Sequence, residues 1–302
     1  MKNYQRVFIF LFVALAFTSV LSPWVAALWN SIVDLKPEWQ LTRYSFSHIF
    51  GRLFMVTGVI LFFSFRSRLK IPSLSNLGLA PLRHGRWSFL QGFLIAAASV
   101  AALGLLMTLS EIFTPYFRLS LSGALQRSGK ALLMALTVGL FEEIFFRGII
   151  FKGLMEDFRP PVAFAMASFF YSAIHFVKPS EKLLAGRLDP LAGVRYLIHA
   201  FEPFFDPFTL LPGLFGLFLI GLVLSYAYLR TGSLYLSIGL HAGWVFGIKT
   251  IRVYGDFARS DLGRLFGSSE PKLVSGLMTW LGILLVGVVV HFVTRERRQE
   301  RS

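Results

Sequence analysis

Apolar residues in this chain come in runs of about 20, separated by short breaks rich in proline, glycine and basic residues. A helix that crosses a bilayer needs about 20 mostly apolar residues. Eight stretches meet that pattern, roughly 7–29, 47–65, 88–113, 130–152, 161–177, 209–230, 232–250 and 273–293. They predict an all-α polytopic membrane helix bundle of about eight transmembrane helices. Pro160 and Pro161 punctuate the turn between the fourth and fifth runs, and Pro115 closes the third. The longest interruption, 178–208, holds an aromatic-rich stretch from Leu191 to Phe205 with Arg195, His199 and Glu202. Pro203 and Pro207 make it a poor span, so an interfacial or re-entrant helix is expected there. The runs follow one another nearly end to end, without internal repeat or low-complexity segment. They read as a single integral membrane domain, 1–302, with core helices within 130–250.

Composition agrees with the pattern. Of 302 residues, 55% are hydrophobic and 15% charged, and the mean hydropathy is +0.64. A water-soluble domain of this size has no core large enough to hide that much apolar surface, so the solvent is lipid. The 33 Phe residues are read as lipid-facing or packing groups. The absence of cysteine excludes disulfides, thiolate nucleophiles and Cys-based metal sites. The first run, Val7 to Trp29, exceeds a signal-peptide core and is followed by no cleavage site, so it is expected to remain as a span.

A net charge of +14 with a pI near 10.4 would suggest nucleic acid in a soluble protein. Here the basic residues sit in short loops and in the tail, which is how a membrane protein fixes its orientation. Arg66, Arg68, Lys70, Arg83 and Arg86 fall in one loop, and Arg295, Arg297, Arg298 and Arg301 follow the last run. Both belong in the cytoplasm, and an even number of spans places both termini there. The 114–130 loop, with Arg118, Arg127 and Lys130, then lies outside. The partner is the lipid bilayer, and no nucleic acid is expected.

The fourth run carries the chemistry. Within Leu-Phe-Glu142-Glu143-Ile-Phe-Phe-Arg147-Gly148, two adjacent carboxylates stand in an otherwise apolar helix. An acid at the centre of a span costs about 2.5–3.5 kcal/mol on insertion scales. Such a cost points to function. Glu143 and Arg147 are four residues apart, share a helix face and can form a charge-assisted pair. Glu142 is about 100° further round the helix and can point into a cavity. A carboxylate beside another in a low-dielectric pocket suits a general base that takes a proton from water and later delivers it to a leaving amine. A helix-end ion pair near the interface would account for Glu143 and Arg147 but not for Glu142.

His175 ends the fifth run and His241 lies inside the seventh, flanked by Gly239, Ala242, Gly243 and Gly247. Those small residues suit close helix packing and a shaped pocket equally well. A lone His in a span is more often a packing or headgroup residue. One Glu with two His on separate helices can activate water directly or bind a divalent metal such as Zn that does so. The spacing is unlike the H-E-x-x-H of zincins, whose ligands share one helix. No serine lies in a nucleophile motif, so water-mediated hydrolysis is expected over an acyl-enzyme. The residues demand no certain cofactor; a metal is the candidate.

These residues resemble the CPBP family, the CAAX proteases and bacteriocin-processing proteins, which includes the Rce1-like prenyl-protein endopeptidases. Glu142-Glu143-x-x-x-Arg147 matches its EExxxR motif. Tyr171 to His175 aligns with its FxxxH motif, with Tyr in place of Phe. His241 to Val245 aligns with its HxxxN motif, with Val in place of Asn. The resemblance covers the fourth to seventh runs. It implies an eight-helix intramembrane endopeptidase acting on a membrane-tethered peptide or protein, of which a prenylated CAAX peptide is one option. It implies that Glu142 and His175 activate water, that His241 stabilises the oxyanion, and that Glu143 and Arg147 orient the site. Trp244 or a backbone N–H would have to replace the missing donor at Val245. The family has been described as both metal-dependent and glutamate-type. A bacterial inner membrane is the expected location. Two other readings stay open: a proton-coupled transporter, since intramembrane Glu, His and Arg also build proton relays, and a catalytically silent scaffold or immunity protein on the same fold, which Val245 permits.

Overall fold

The computed structural model describes residues 2–39, 41–65, 73–177, 189–258, 262–267 and 273–299. In chain order it runs α1 (Asn3–Leu35), α2 (Phe46–Phe65), α3 (Leu82–Leu109), β1 (Phe113–Pro115), α4 (Leu121–Glu143), a π-helical segment (Ile144–Phe151), α5 (Lys152–Asp157), α6 (Pro160–Ile174), α7 (Ala192–His199), α8 (Pro207–Thr231), α9 (Leu234–Ile251), β2 (Gly255–Phe257), α10 (Gly263–Phe266) and α11 (Leu277–Gln299). The molecule is an all-α membrane bundle. Among the described residues, six helices are long and apolar enough to cross a bilayer: α1, α2, α3, α8, α9 and α11. The other two expected spans differ for physical reasons. α6 is a shorter apolar helix of 15 residues. The fourth run carries the charges and is longer than expected. Ser120 caps α4 by accepting from the Gly123 N–H at 3.3 Å, so residues 121–130, expected in a loop, are helical. From Leu121 to Asp157 the helix is unbroken. At about 1.5 Å per residue this is longer than the ~30 Å hydrocarbon core of a bilayer. Pro160 and Pro161 occupy the first turn of α6, where a missing N–H costs nothing. α3 stops at Leu109 rather than at Pro115, which lies in β1.

The chain divides into two units, Met1–Pro72 with Ala173–Leu210, and Ser73–Ser172 with Leu211–Ser302. In the first, α1, α2 and α7 meet around Ala26, Phe46, Ile49, Phe50, Tyr196 and Ala200. The Tyr196 ring stacks on Phe50 at 4.2 Å, and Gly193 lies against the Ser19 carbonyl, where a side chain would collide. The expected interfacial element is therefore α7, eight residues followed by a 3-10 turn over Glu202–Phe205, too short to span. Val194, Ile198, Phe201 and Phe205 stay exposed on it. The part of that expectation on 178–188 lies outside the described residues, as do Arg66, Arg68, Lys70 and Arg301 of the orientation argument. The side chains of Arg297 and Arg298 also lie outside them.

The second unit is built on α3 and α9, its most extensive helix pair. Gly239, Gly243 and Gly247 repeat every four residues and so line one face of α9. Each presses on α3: Gly239 on the Phe89 carbonyl, Gly243 on the Phe93 carbonyl and Gly247 on Val100. A Cβ at Gly243 would lie 2.5 Å from the Phe93 oxygen and 2.8 Å from the Ala96 Cβ. Small residues thus let two backbones approach closely, the usual route to helix association in lipid. Antiparallel strands β1 and β2 pair Phe113 with Phe257 beyond the ends of α3 and α9, over a cluster of Met107, Ile112, Phe113 and Phe266. There Asp256 accepts from the Tyr116 phenol and pairs with Arg118 at 2.9 Å, and the Tyr116 hydrogen bond to Asp256 pushes the phenol above its usual value.

This packing makes a prediction. Gly243→Leu overpacks the α3–α9 seam and is expected to lower stability by about 1–3 kcal/mol or more, read as a fall in the unfolding midpoint in detergent. Gly129→Leu on α4, where nothing lies within 4 Å of the added Cβ, is the control. Equal midpoints for the two variants would refute the close-packed seam.

Candidate functional site

Three devices set the site. The first is the start of α9. Gly232 takes φ +62°, the left-handed conformation that ends α8, and Ser233 caps α9 by accepting from the Tyr235 N–H. The Leu234 N–H and the Ser233 hydroxyl both bond the Gly78 carbonyl, at 2.9 and 3.2 Å. The Tyr235 hydroxyl donates to the Ala80 carbonyl at 2.6 Å. These bonds fix α9 along its axis. The second is Gly139 on α4, which lies 3.2 Å from the Ala242 nitrogen and the Ile238 oxygen when given a Cβ. It brings α4 close to the α9 face opposite the glycine stripe. The third is the π-helical segment, which begins directly after Glu143. The Lys152 N–H bonds back five residues to the Arg147 carbonyl. Such widened turns are rare and frequent at functional sites.

Glu143 is fully buried, Arg147 is 1% exposed and His241 4%. Arg147 Nη1 donates to Glu143 Oε1 at 2.7 Å, and Nη2 donates to the Gly221 carbonyl of α8 at 3.2 Å. The same Glu143 oxygen lies 2.8 Å from His241 Nδ1. Paired with the guanidinium, Glu143 is a carboxylate and can only accept, so His241 carries a proton on Nδ1. Its other nitrogen, Nε2, faces Glu142 Oε2 at 3.7 Å. The imidazole is thus held between two carboxylates. Glu142 differs from its neighbour in exposure, with 28% of its side chain accessible.

Tyr171 of α6 closes the cluster. Its ring lies over the Arg147 guanidinium at 4.5 Å, meets the His241 ring edge-on at 6.1 Å and packs against Phe146 at 4.9 Å. The second unit therefore gathers Glu142, Glu143, Arg147 and His241. His175 directly follows α6, is half-buried and is grouped with the first unit. Glu143 and Arg147 do more than pair with each other, because they also hold His241. Trp244 has another task than the one considered from sequence: its Nε1–H donates to Ser99 Oγ of α3 at 3.1 Å. Val245 lies one turn beyond His241 on the same face of α9 and offers no donor. Sequence reasoning missed the Gly221 carbonyl, which carries no signal at all, and the stacking role of Tyr171, whose only signal was its place in the motif ending at His175.

The donors do not make a ready metal set. Glu143 Oε1 is already held by Arg147 and His241, and His241 Nδ1 is spent on it. Zinc sites use three or four protein ligands. Among the described residues, no three His, Asp or Glu side chains are grouped to hold a metal ion.

Residues 125–247 match the family model described as type II CAAX prenyl endopeptidase Rce1-like. The match spans less than half of the 302 residues and contains all five candidate residues. It supports a membrane endopeptidase of the CAAX-protease type at the level of family. No curated protein and no solved structure matches the chain.

The buried pair predicts an asymmetric cost. Arg147→Met strands the Glu143 carboxylate and is expected to lose about 3–5 kcal/mol of stability. Glu143→Gln with Arg147→Met removes both charges and is expected to regain much of it. Chemical unfolding in detergent micelles measures both, and an Arg147→Met variant as stable as the parent would contradict the arrangement.

Proposed function

We propose that this relative of the CPBP, Rce1-like proteins is an intramembrane endopeptidase that hydrolyses a peptide bond of a membrane-associated protein or peptide with water activated by Glu142. The observation that carries the reading is the contrast between neighbours. Glu143 is sealed by Arg147 and His241, while Glu142 keeps part of its side chain accessible and turns one oxygen toward His241 Nε2.

Glu142 takes one proton from water as the water oxygen attacks the scissile carbonyl carbon. A tetrahedral intermediate forms with negative charge on the former carbonyl oxygen. The C–N bond then breaks, and the proton held by Glu142 passes to the leaving nitrogen. Glu143 and Arg147 serve as positioning residues: the carboxylate fixes the imidazole ring of His241, and the guanidinium fixes the carboxylate. His241 lies beside the reacting centre and helps stabilise the oxyanion. His175 is assigned, on the family resemblance alone, the partner role in water activation.

Glu142→Gln keeps the size and shape of the side chain and removes its basicity. Cells carrying the parent and the variant at equal abundance are compared by mass spectrometry of membrane-protein termini. Termini produced by the parent are expected to vanish with Glu142→Gln and with His175→Ala. Unchanged termini in the Glu142→Gln cells would sink the proposal.

A further inference from the structure

Arg43, Arg118, Arg147 and Arg195 each pair with a carboxylate. Arg230, in the last turn of α8, is held differently, although it is half-buried. Its Nε donates to Thr294 Oγ1 of α11 at 3.1 Å, and its guanidinium lies over the Tyr226 ring at 5.9 Å. Thr294 is itself fixed, because its hydroxyl donates to the Val290 carbonyl at 2.7 Å. One turn deeper, the Tyr226 hydroxyl is hydrogen-bonded to His291 Nδ1 at 2.6 Å, with the two rings within 6° of parallel. Residues of α8 and α11 therefore hold each other across the seam, with Gly287 against Val223 further in. A guanidinium drawn out of water calls for an anionic partner, since an unpaired charge is costly to bury. Among the described residues no carboxylate pairs with Arg230.

Place and geometry narrow the identity of that anion. The apolar spans on these two helices end at Thr231 and Arg295, so Arg230 stands where hydrocarbon gives way to headgroups. With Nε spent on Thr294, the guanidinium keeps its Nη1–Nη2 edge, a planar fork that matches two phosphate oxygens. Leu284, Val288, His291 and Arg295 follow one another at helical spacing and share one face of α11. Leu284 and Val288 are exposed on that face, and Arg295 is exposed at its end. The face therefore offers an apolar track for acyl chains that leads up to two cations. A free phosphate would use the cations and leave the track bare. An arginine that merely snorkels to water keeps its side chain free to move, whereas this one is fixed at Nε and against a ring.

We infer that the end of the α8–α11 seam is a binding site for an anionic phospholipid, whose phosphate is held by Arg230 and Arg295 and whose acyl chains lie along Leu284 and Val288. The inference is independent of the endopeptidase reading. The lipid bridges two helices that are brought together only in the folded chain, so its binding stabilises the fold.

The test uses the full chain, purified and stripped of lipid in a maltoside detergent, which carries no phosphate. Unfolding midpoints are measured with added phosphatidylglycerol, with phosphatidylcholine of the same acyl chains, and with inorganic phosphate. Phosphatidylglycerol near saturation is expected to raise the midpoint by about 5 °C, and the other two by less than about 1 °C. Arg230→Gln is expected to lose most of the phosphatidylglycerol shift. Thr294→Val keeps the charge but frees Nε, and is expected to lose part of it. Arg86→Gln removes an exposed arginine near the start of α3 and is expected to keep it. No shift in the parent, or a shift of equal size with phosphatidylcholine or inorganic phosphate, overturns the inference. So does a shift that survives intact in Arg230→Gln. A shift that Arg86→Gln lowers as much as Arg230→Gln does marks attraction to net charge alone and also overturns it. If Arg230→Gln does not fold, Thr294→Val decides, and an undiminished shift there overturns the site.

Discussion

Glu143 Oε1 is the point on which the site hangs. A carboxylate with no exposed surface cannot remain ionised inside a membrane protein without strong partners, since burying an unpaired charge costs several kcal/mol. It has two: the Arg147 guanidinium at 2.7 Å and His241 Nδ1 at 2.8 Å. Arg147 in turn has a second anchor on the Gly221 carbonyl and an aromatic lid in Tyr171. One oxygen atom therefore ties α4, the π-helical segment and α9 together, and through Arg147 it reaches α8. The cost of the buried charges is offset only while all of these contacts hold, so the cluster behaves as a unit.

That arrangement depends on where α9 sits. Its two faces do different work. The Gly239, Gly243 and Gly247 face lies on the backbone of α3, which sets the distance between the helices. The opposite face, with Ile238, His241 and Ala242, meets α4 at Gly139. The axial position is set at the other end, where Gly78 accepts both Leu234 N–H and the Ser233 hydroxyl. A shift of one residue along α9 would carry His241 about 100° round the helix and away from Glu143. Packing of small residues thus determines which carboxylate the imidazole meets.

The charged motif on α4 was legible from sequence because the 3.6-residue period alone puts Glu143 and Arg147 together and Glu142 apart. The all-α membrane class followed from the length of the apolar runs. Other features depend on partners from distant parts of the chain and left no local trace. Glu143 could have been paired with Arg147 alone; that it also holds His241 follows from the depth of α9. Trp244 looked like a spare donor beside His241, but its N–H faces Ser99 because the neighbouring Gly243 brings α3 within reach. The length of α4 was hidden by its polar start, since Arg127 and Lys130 read as loop residues while Ser120 caps a helix that includes them. The π-helical turn after Glu143 has no sequence signature in Ile-Phe-Phe-Arg-Gly-Ile-Ile-Phe that distinguishes it from an α-helix.

The bond from Glu143 also constrains what His241 can do. With Nδ1 fixed as the donor, the neutral ring presents a lone pair at Nε2, directed to the side where Glu142 stands at 3.7 Å. A neutral His241 is therefore an acceptor in the site, and only the imidazolium can donate to an oxyanion.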